Sequence, residues 1–370
     1  MSDVEGWRLG RHASLDGIRA VAVGLVVLAH SGLPLVGNGG GVGVGIFFTL
    51  SGFLITSLLL DERAEYGSIR LGSFWKRRLL RLVPAMVACV VFAIFVDLIV
   101  WHGVFDWSLI VGTLTYTSNW VIAANAFDQR TTLGHTWSLA VEEQFYLIWP
   151  LILIALLRWM PRSRIVKSLA VVSLLVVVLR VLLWDGGEGI GRIYVGTDTR
   201  ADGLLIGAAV ALWLYQRKPV VYPKWVQWAF FVAMGACCLI PGPVNSFIMP
   251  TVVGLATAGL ILAVVQGRGF WPLELSWVRW IGKRSYGIYL YASPLHRLIL
   301  ETLGDSILWW VLIQIPGTAI LAWASYRWIE SPFLRLKNRD PRSHAGTLAA
   351  ESSQSKLPAQ RVRRLRSATE

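Results

Sequence analysis

His30, Glu142 and Glu143 are the side chains best suited to moving a proton, and all three fall inside otherwise apolar stretches. A neutral imidazole can take a hydroxyl proton near neutral pH. A carboxylate beside it can orient the ring and favour its charged form. His30 lies in LDGIRAVAVGLVVLAHSGL, 15–33, which also carries Asp16 and Arg19. Arg19 and His30 are eleven residues apart. In a helix that is close to three turns, so both project from nearly one face, about 16 Å apart along the axis. Ionisable groups in an apolar span usually face a cavity rather than lipid. A plainer reading leaves Asp16 and Arg19 at a membrane surface, with Arg19 snorkelling. It accounts for those two residues and leaves His30 as a packed histidine near the far interface.

Four further clusters interrupt the apolar runs. In SFWKRRLLRLVPA, 73–85, Arg78 and Arg81 stand at i, i+3 and share a face. Such a pair can grip a phosphate bidentately or simply anchor the topology. In HTWSLAVEEQFYLIWP, 135–150, Glu142 shares a face with His135, Ser138 and Tyr146. Two buried carboxylates need partners or protons; an ion pair with an arginine elsewhere is the structural alternative to a catalytic role. Arg200 and Asp202, in TDTRADGLLIGA, open another span and can orient an acceptor, or cap the helix and pair with each other. The stretch GKRSYGIYLYASPLHRLI, 282–299, sets Ser285, Tyr286, Tyr289 and His296 along one helix, where tyrosines are commonly packing or interfacial groups. The glycines of GNGGGVGVGIFF, 37–48, lack the Lys-Ser/Thr of a phosphate loop and suit close helix packing instead.

The elements that must hold these groups follow from composition. Hydrophobic residues make up 55% of the 370, and charged residues only 15%, against about 25% in soluble domains. Long apolar runs recur, so the chain is an all-α, polytopic membrane protein. Candidate spans are 15–33, 40–60, 81–101, 136–157, 166–184, 199–215, 226–241, 248–266, 281–300 and 307–328. Placing the basic segments 63–81, 158–167 and 217–224 on the cytoplasmic side requires that 107–124 does not cross. That segment is therefore a non-crossing or re-entrant helix. The result is about ten transmembrane helices, with both termini cytoplasmic, in the inner or plasma membrane. Residues 1–334 form the membrane domain. Residues 335–370, with nine Lys or Arg against three Asp or Glu, form a basic, disordered cytoplasmic tail. No cleavable signal peptide is evident. The formal charge of +13 fits basic inner loops touching anionic lipid, not nucleic acid. Cys89, Cys237 and Cys238 have no metal-ligand spacing, and no metal is expected. No repeat relates the two halves.

Taken together these blocks resemble the acyltransferase 3 family of integral-membrane O-acyltransferases. LDGIRAVAVGLVVLAH is similar to the family's first helix, with its Arg-x10-His spacing. GVGVGIFFTLSGFLIT, FWKRRLLRLVPA, HTWSLAVEEQFYLIWP, RADGLLIGAAVA, SYGIYLY and IESPF match later blocks in the same order, over 15–335. One such block would be weak; seven in register are specific. The resemblance implies about ten spans, a cytoplasmic acyl-CoA donor, acetyl-CoA by default, and transfer to a sugar or lipid-linked hydroxyl of an envelope glycan, glycolipid or secondary metabolite. It implies that His30 is the essential histidine, that Arg19, Arg78 and Arg81 serve the donor phosphates, and that Glu142 and Glu143 are the acidic pair. Many members carry a histidine two residues before the proline of the SYGIYLYASP block. Here that position is Ala292, with His296 one turn further on.

The chemistry expected is removal of an acceptor proton by His30 and attack on the thioester, with Glu142 or Glu143 orienting the imidazole. A covalent acyl-histidine is the variant. Asp16, His135, Ser138, Arg200, Asp202, Ser285 and Tyr286 are the expected substrate contacts. A carrier or flippase for an anionic or acylated small molecule is the competing reading, since charged stripes suit it too; the missing repeat counts against it. A mere scaffold leaves Glu142 and Glu143 without a reason.

Overall fold

Long runs of Leu, Ala, Val and Ile dictate helix, and a computed structural model is helical throughout, with no strand among the described residues. Those are residues 8–10, 12–31, 37–100, 102–124, 132–184, 190–240, 247–267 and 269–337. Most of the basic tail, 338–370, lies outside them.

The first three helices are α1 (Ala13–Ala29), α2 (Gly39–Tyr66) and α3 (Leu71–Val100). Two short ones follow, α4 (Trp107–Leu114) and α5 (Ser118–Ala124). Then come α6 (Trp137–Trp159), α7 (Arg162–Leu182), α8 (Ile190–Val195), α9 (Thr197–Leu214), α10 (Lys224–Ala236) and α11 (Met249–Val265). The chain closes with α12 (Ser276–Lys283), α13 (Ser285–Leu303) and α14 (Ile307–Leu336), the last containing two π-helical segments.

Five helices are long and apolar enough to cross a membrane: α2, α3, α6 with its leading 3-10 turn, α7 and α14. The other expected spans are shorter. α1 has 17 residues, α9 18, α10 13, α11 17 and α13 19. At 1.5 Å per residue these cover roughly 20–29 Å, against a hydrocarbon layer of about 30 Å. Length and composition thus support a helical membrane protein and do not by themselves deliver ten crossings. The segment 107–124 is broken into helices of 8 and 7 residues. Each covers about 12 Å or less, well short of a hydrocarbon layer of about 30 Å.

α2 is the centre of the bundle. It packs against α1, α9 and α11, and 78% of its most apolar window is buried, against 33% for α3 and 28% for α7. Glycine makes this approach feasible. A Cβ at Gly52 would collide with the Leu204 carbonyl, and one at Gly207 with the Thr49 carbonyl. The α2 and α9 main chains are therefore in direct contact. α3 shows the opposite pattern: Val87, Val91, Phe95 and Leu98 form an exposed apolar stripe at helical spacing, suited to lipid.

Asp202 departs from expectation. Its partner is not Arg200, two residues away, but Arg180 of α7, at 2.7 Å, with side-chain exposures of 1% and 0%. Residues i and i+2 point apart on a helix, so Asp202 turns toward α7 while Arg200 turns toward α6 and α8. Thr251 of α11 donates to the same Asp202 oxygen, and Arg180 also donates to the Thr199 carbonyl at 3.2 Å. Asp202 thus ties α7, α9 and α11 together as a structural ion pair.

Candidate functional site

A cavity of roughly 700 Å³, counted out to its open mouth, lies where α1, α2, α3, α6 and α13 converge. Arg19 of α1 and Arg78 and Arg81 of α3 line it, opposite Glu142 and Glu143 of α6. With every group ionised, three guanidiniums face two carboxylates, and one positive charge is left over.

Each group is held by the helix spacing that brought it there. Arg78 and Arg81, one turn apart, both reach the cavity, and Arg78 lies 3.8 Å over the Tyr146 ring. Tyr146 is one turn from Glu142 and donates to Oε2 at 3.4 Å, while Ser51 of α2 donates to Oε1 at 3.0 Å. Arg19 is within electrostatic reach of Asp16, Tyr146 and Glu142, and Glu143 of Arg78 and Arg81. Asp16 itself does not line the cavity. Ser285 and Tyr286 do, from the first turn of α13, and the Tyr286 hydroxyl donates to the Leu82 carbonyl at 3.0 Å.

Ser51, Phe47 and Tyr116 are among the cavity-wall positions that carried no sequence signal. Ser51 sits unmarked in an apolar run. Phe47 reads as packing. Tyr116 sits in the turn between α4 and α5 with φ +55, a conformation non-glycine residues rarely adopt. Gln144 of α6 pins that turn by donating to the Tyr116 carbonyl at 2.8 Å, and the Tyr116 ring enters the cavity beside Tyr286. Burial, and then the Glu143 carboxylate, push the Tyr116 hydroxyl above the ordinary tyrosine range.

The histidines form a separate group. His30 caps the C-terminus of α1, three turns beyond Arg19, and is not among the residues lining the cavity. Its ring centroid lies 5.3 Å from that of His296 of α13, edge to face. His30 Nδ1 is 2.8 Å from the Val26 carbonyl oxygen. A carbonyl only accepts, so Nδ1 carries the hydrogen, and in the neutral ring Nε2 keeps the lone pair. The acid expected beside His30 is thus replaced by main chain. Because His30 ends its helix, its side chain folds back on the carbonyl four residues earlier, while the glutamates are engaged at the arginine end. His135, in the 3-10 turn before α6, packs against Tyr289 at 5.5 Å between centroids and lies within electrostatic reach of His30. Ser138 and Tyr289 bridge the two groups: both line the cavity, and the Tyr289 hydroxyl donates to the His135 carbonyl at 2.8 Å.

Arg200 stands apart from the cavity, 2% exposed, with its guanidinium 5.1 Å from the Tyr194 ring centroid and 5.5 Å from that of Trp137. No group of three or more metal-ligating side chains occurs among the described residues.

The chain is similar to the peptidoglycan O-acetyltransferase OatA of Listeria monocytogenes, with 34% identity over 350 residues, covering 86% of this chain and 55% of that protein. The putative peptidoglycan O-acetyltransferase YrhL of Bacillus subtilis is also 34% identical, over 354 residues, with 86% and 54% covered. The O-acetyltransferase OatA of Staphylococcus aureus shows 34% identity over 346 residues, with 86% and 56% covered. The chain therefore spans about half the length of the curated relatives it matches. No solved structure matches it. The family model described as an acyltransferase domain covers residues 12–327, and with that coverage the chain belongs to the acyltransferase 3 family.

Proposed function

We propose that this protein is a membrane O-acyltransferase that moves an acetyl group from cytoplasmic acetyl-CoA to a hydroxyl of a cell-envelope glycan. One observation carries the reading: a cavity inside the helix bundle gathers three arginines, two glutamates and several hydroxyls, with His30 three turns along α1 from the first arginine. In this reading the bundle crosses about ten times, with both termini cytoplasmic and the cavity mouth facing the cytoplasm. Arg19, Arg78 and Arg81 bind the donor's phosphates, for which planar guanidiniums are the best side chains. Glu142 and Glu143 supply part of the counter-charge to those arginines. The acceptor enters from the histidine end. A peptidoglycan sugar is the favoured acceptor, from the names of the relatives.

His30 Nε2 takes the proton from the acceptor hydroxyl. The oxygen attacks the thioester carbonyl, the C–S bond breaks, and the imidazolium returns its proton to the departing thiolate. Holding Nδ1–H on the Val26 carbonyl fixes the tautomer this step needs. His135 and Ser138 border the acceptor's path, with Arg200 further out.

The test is release of free CoA from acetyl-CoA, and acetylation of glycan strands, by purified protein in detergent or vesicles. His30→Ala should lower turnover by at least about a hundredfold, the lower end for loss of a general base, without changing thermal stability. Wild-type turnover in that variant would remove His30 from the mechanism. Transport of label without thioester cleavage would identify a carrier instead.

A further inference from the structure

Tyr116 is held in the cavity wall against two costs. The first is its backbone: φ of +55 lies in the left-handed region, where bulky residues are rare and persist only if their surroundings impose it. Here two amides impose it. Gln144 of α6 donates to the Tyr116 carbonyl at 2.8 Å and to Asn119 Oδ1 at 2.9 Å, and its own carbonyl accepts from the Thr197 hydroxyl. Asn119 of α5 donates in turn to Thr197 Oγ1 at 3.0 Å and to the Val195 carbonyl at 3.3 Å. The turn between α4 and α5 is thereby locked to α6, α8 and α9.

The second cost is the hydroxyl that this framework presents. Tyr116 lines the cavity, yet its Oη is buried and has no hydrogen-bond partner among the described residues. Tyr286 is close enough to influence it, but the Tyr286 proton goes to the Leu82 carbonyl at 3.0 Å. A buried hydroxyl left unbonded is unfavourable, and an oxygen brought by a ligand would satisfy it. Glu143 lies within electrostatic reach of Tyr116 and of both Arg78 and Arg81, so the hydroxyl stands at the arginine end of the cavity.

We propose that Tyr116 is a binding residue for the acyl donor, its hydroxyl donating to an oxygen of the bound molecule. The inference rests on the donor reading above. The accepting oxygen belongs to a phosphate or to a carbonyl of the pantetheine arm, which offer a phenol the same chemistry. Gln144 is the positioning residue, acting through the turn it pins.

The experiment is titration of CoA, and of adenosine 3′,5′-bisphosphate, into the purified full chain in detergent, with thermal unfolding of each unliganded variant. Tyr116→Phe keeps the ring and removes the hydroxyl. It should weaken CoA binding at least about threefold, the lower range for one hydrogen bond. It should not lower the unliganded unfolding midpoint, because no hydrogen bond within the protein is lost. Weakening with both ligands puts the accepting oxygen on a phosphate; weakening with CoA alone puts it on the arm. Gln144→Ala should also weaken CoA binding, and adding Tyr116→Phe to it should then cost little more. An unchanged CoA affinity in Tyr116→Phe, or a lowered unliganded midpoint, would overturn the assignment of Tyr116. Failure of wild type to bind CoA would instead overturn the donor reading.

Discussion

A guanidinium in a membrane-embedded cavity needs counter-charge, and here three share two carboxylates. The surplus is what a polyphosphate would neutralise. Removing Arg81 should therefore act on donor binding: Arg81→Ala should raise KM for acetyl-CoA about tenfold or more, the cost of a lost charge-assisted contact, with a smaller change in kcat. An unchanged KM would place Arg81 outside the site. Arg19, His30, Glu142 and Glu143 were legible in the sequence because each violates hydropathy, and a violation costs several kcal/mol unless something uses it. Ser51 and Phe47 were not, because hydroxyls and aromatics in an apolar run break no rule. The partner of His30 was misread for a related reason. Sequence lists side chains, and here the Val26 main chain takes the place expected of a carboxylate.

Between elements, the Arg180–Asp202 pair makes the sharpest statement about stability. Both side chains are essentially unexposed, so losing one strands the other. Asp202→Asn should destabilise the fold by about 3–5 kcal/mol, whereas Arg180→Met combined with Asp202→Leu should recover most of that loss. Thermal unfolding in detergent checks both. A single variant as stable as wild type would mean that water reaches the pair. Spacing within a helix is written in the sequence, but pairing across helices is not: Asp202 and Arg180 lie 22 residues apart on different helices. The break in 107–124 was half legible. Charge balance said that it does not cross; the left-handed turn at Tyr116, which puts a ring into the cavity, depends on Gln144 reaching over from α6.

For the molecule as a whole, the number of crossings decides which side of the membrane each loop meets. Five meet the requirement of length and apolarity, and the ten-crossing reading needs the shorter ones to cross as well. Single cysteines placed at Arg164 and Lys218 should react with a membrane-impermeant thiol reagent only after the cytoplasmic face is opened, and one at Asp305 should react in intact cells. Labelling of Arg164 from outside would require α4 or α5 to cross and would reverse everything after α3. Fold class was plain from composition because apolar runs of this length have no stable place in water. The crossing number was not, because helices such as α1 and α9 carry buried charges and trade apolar length for them.

The glycine seam between α2 and α9 has a consequence for how such a sequence can drift. Where peptide groups of two helices touch, no rotamer change can absorb an added methyl. Substitutions at Gly52 or Gly207 must push whole helices apart, and α2 also carries Ser51 and Phe47 into the cavity wall. On α3 and α7 a residue facing the acyl chains can be exchanged for any other oily one. Divergent copies of this chain should thus keep one nearly invariant ribbon down the middle while their outer surfaces change almost freely.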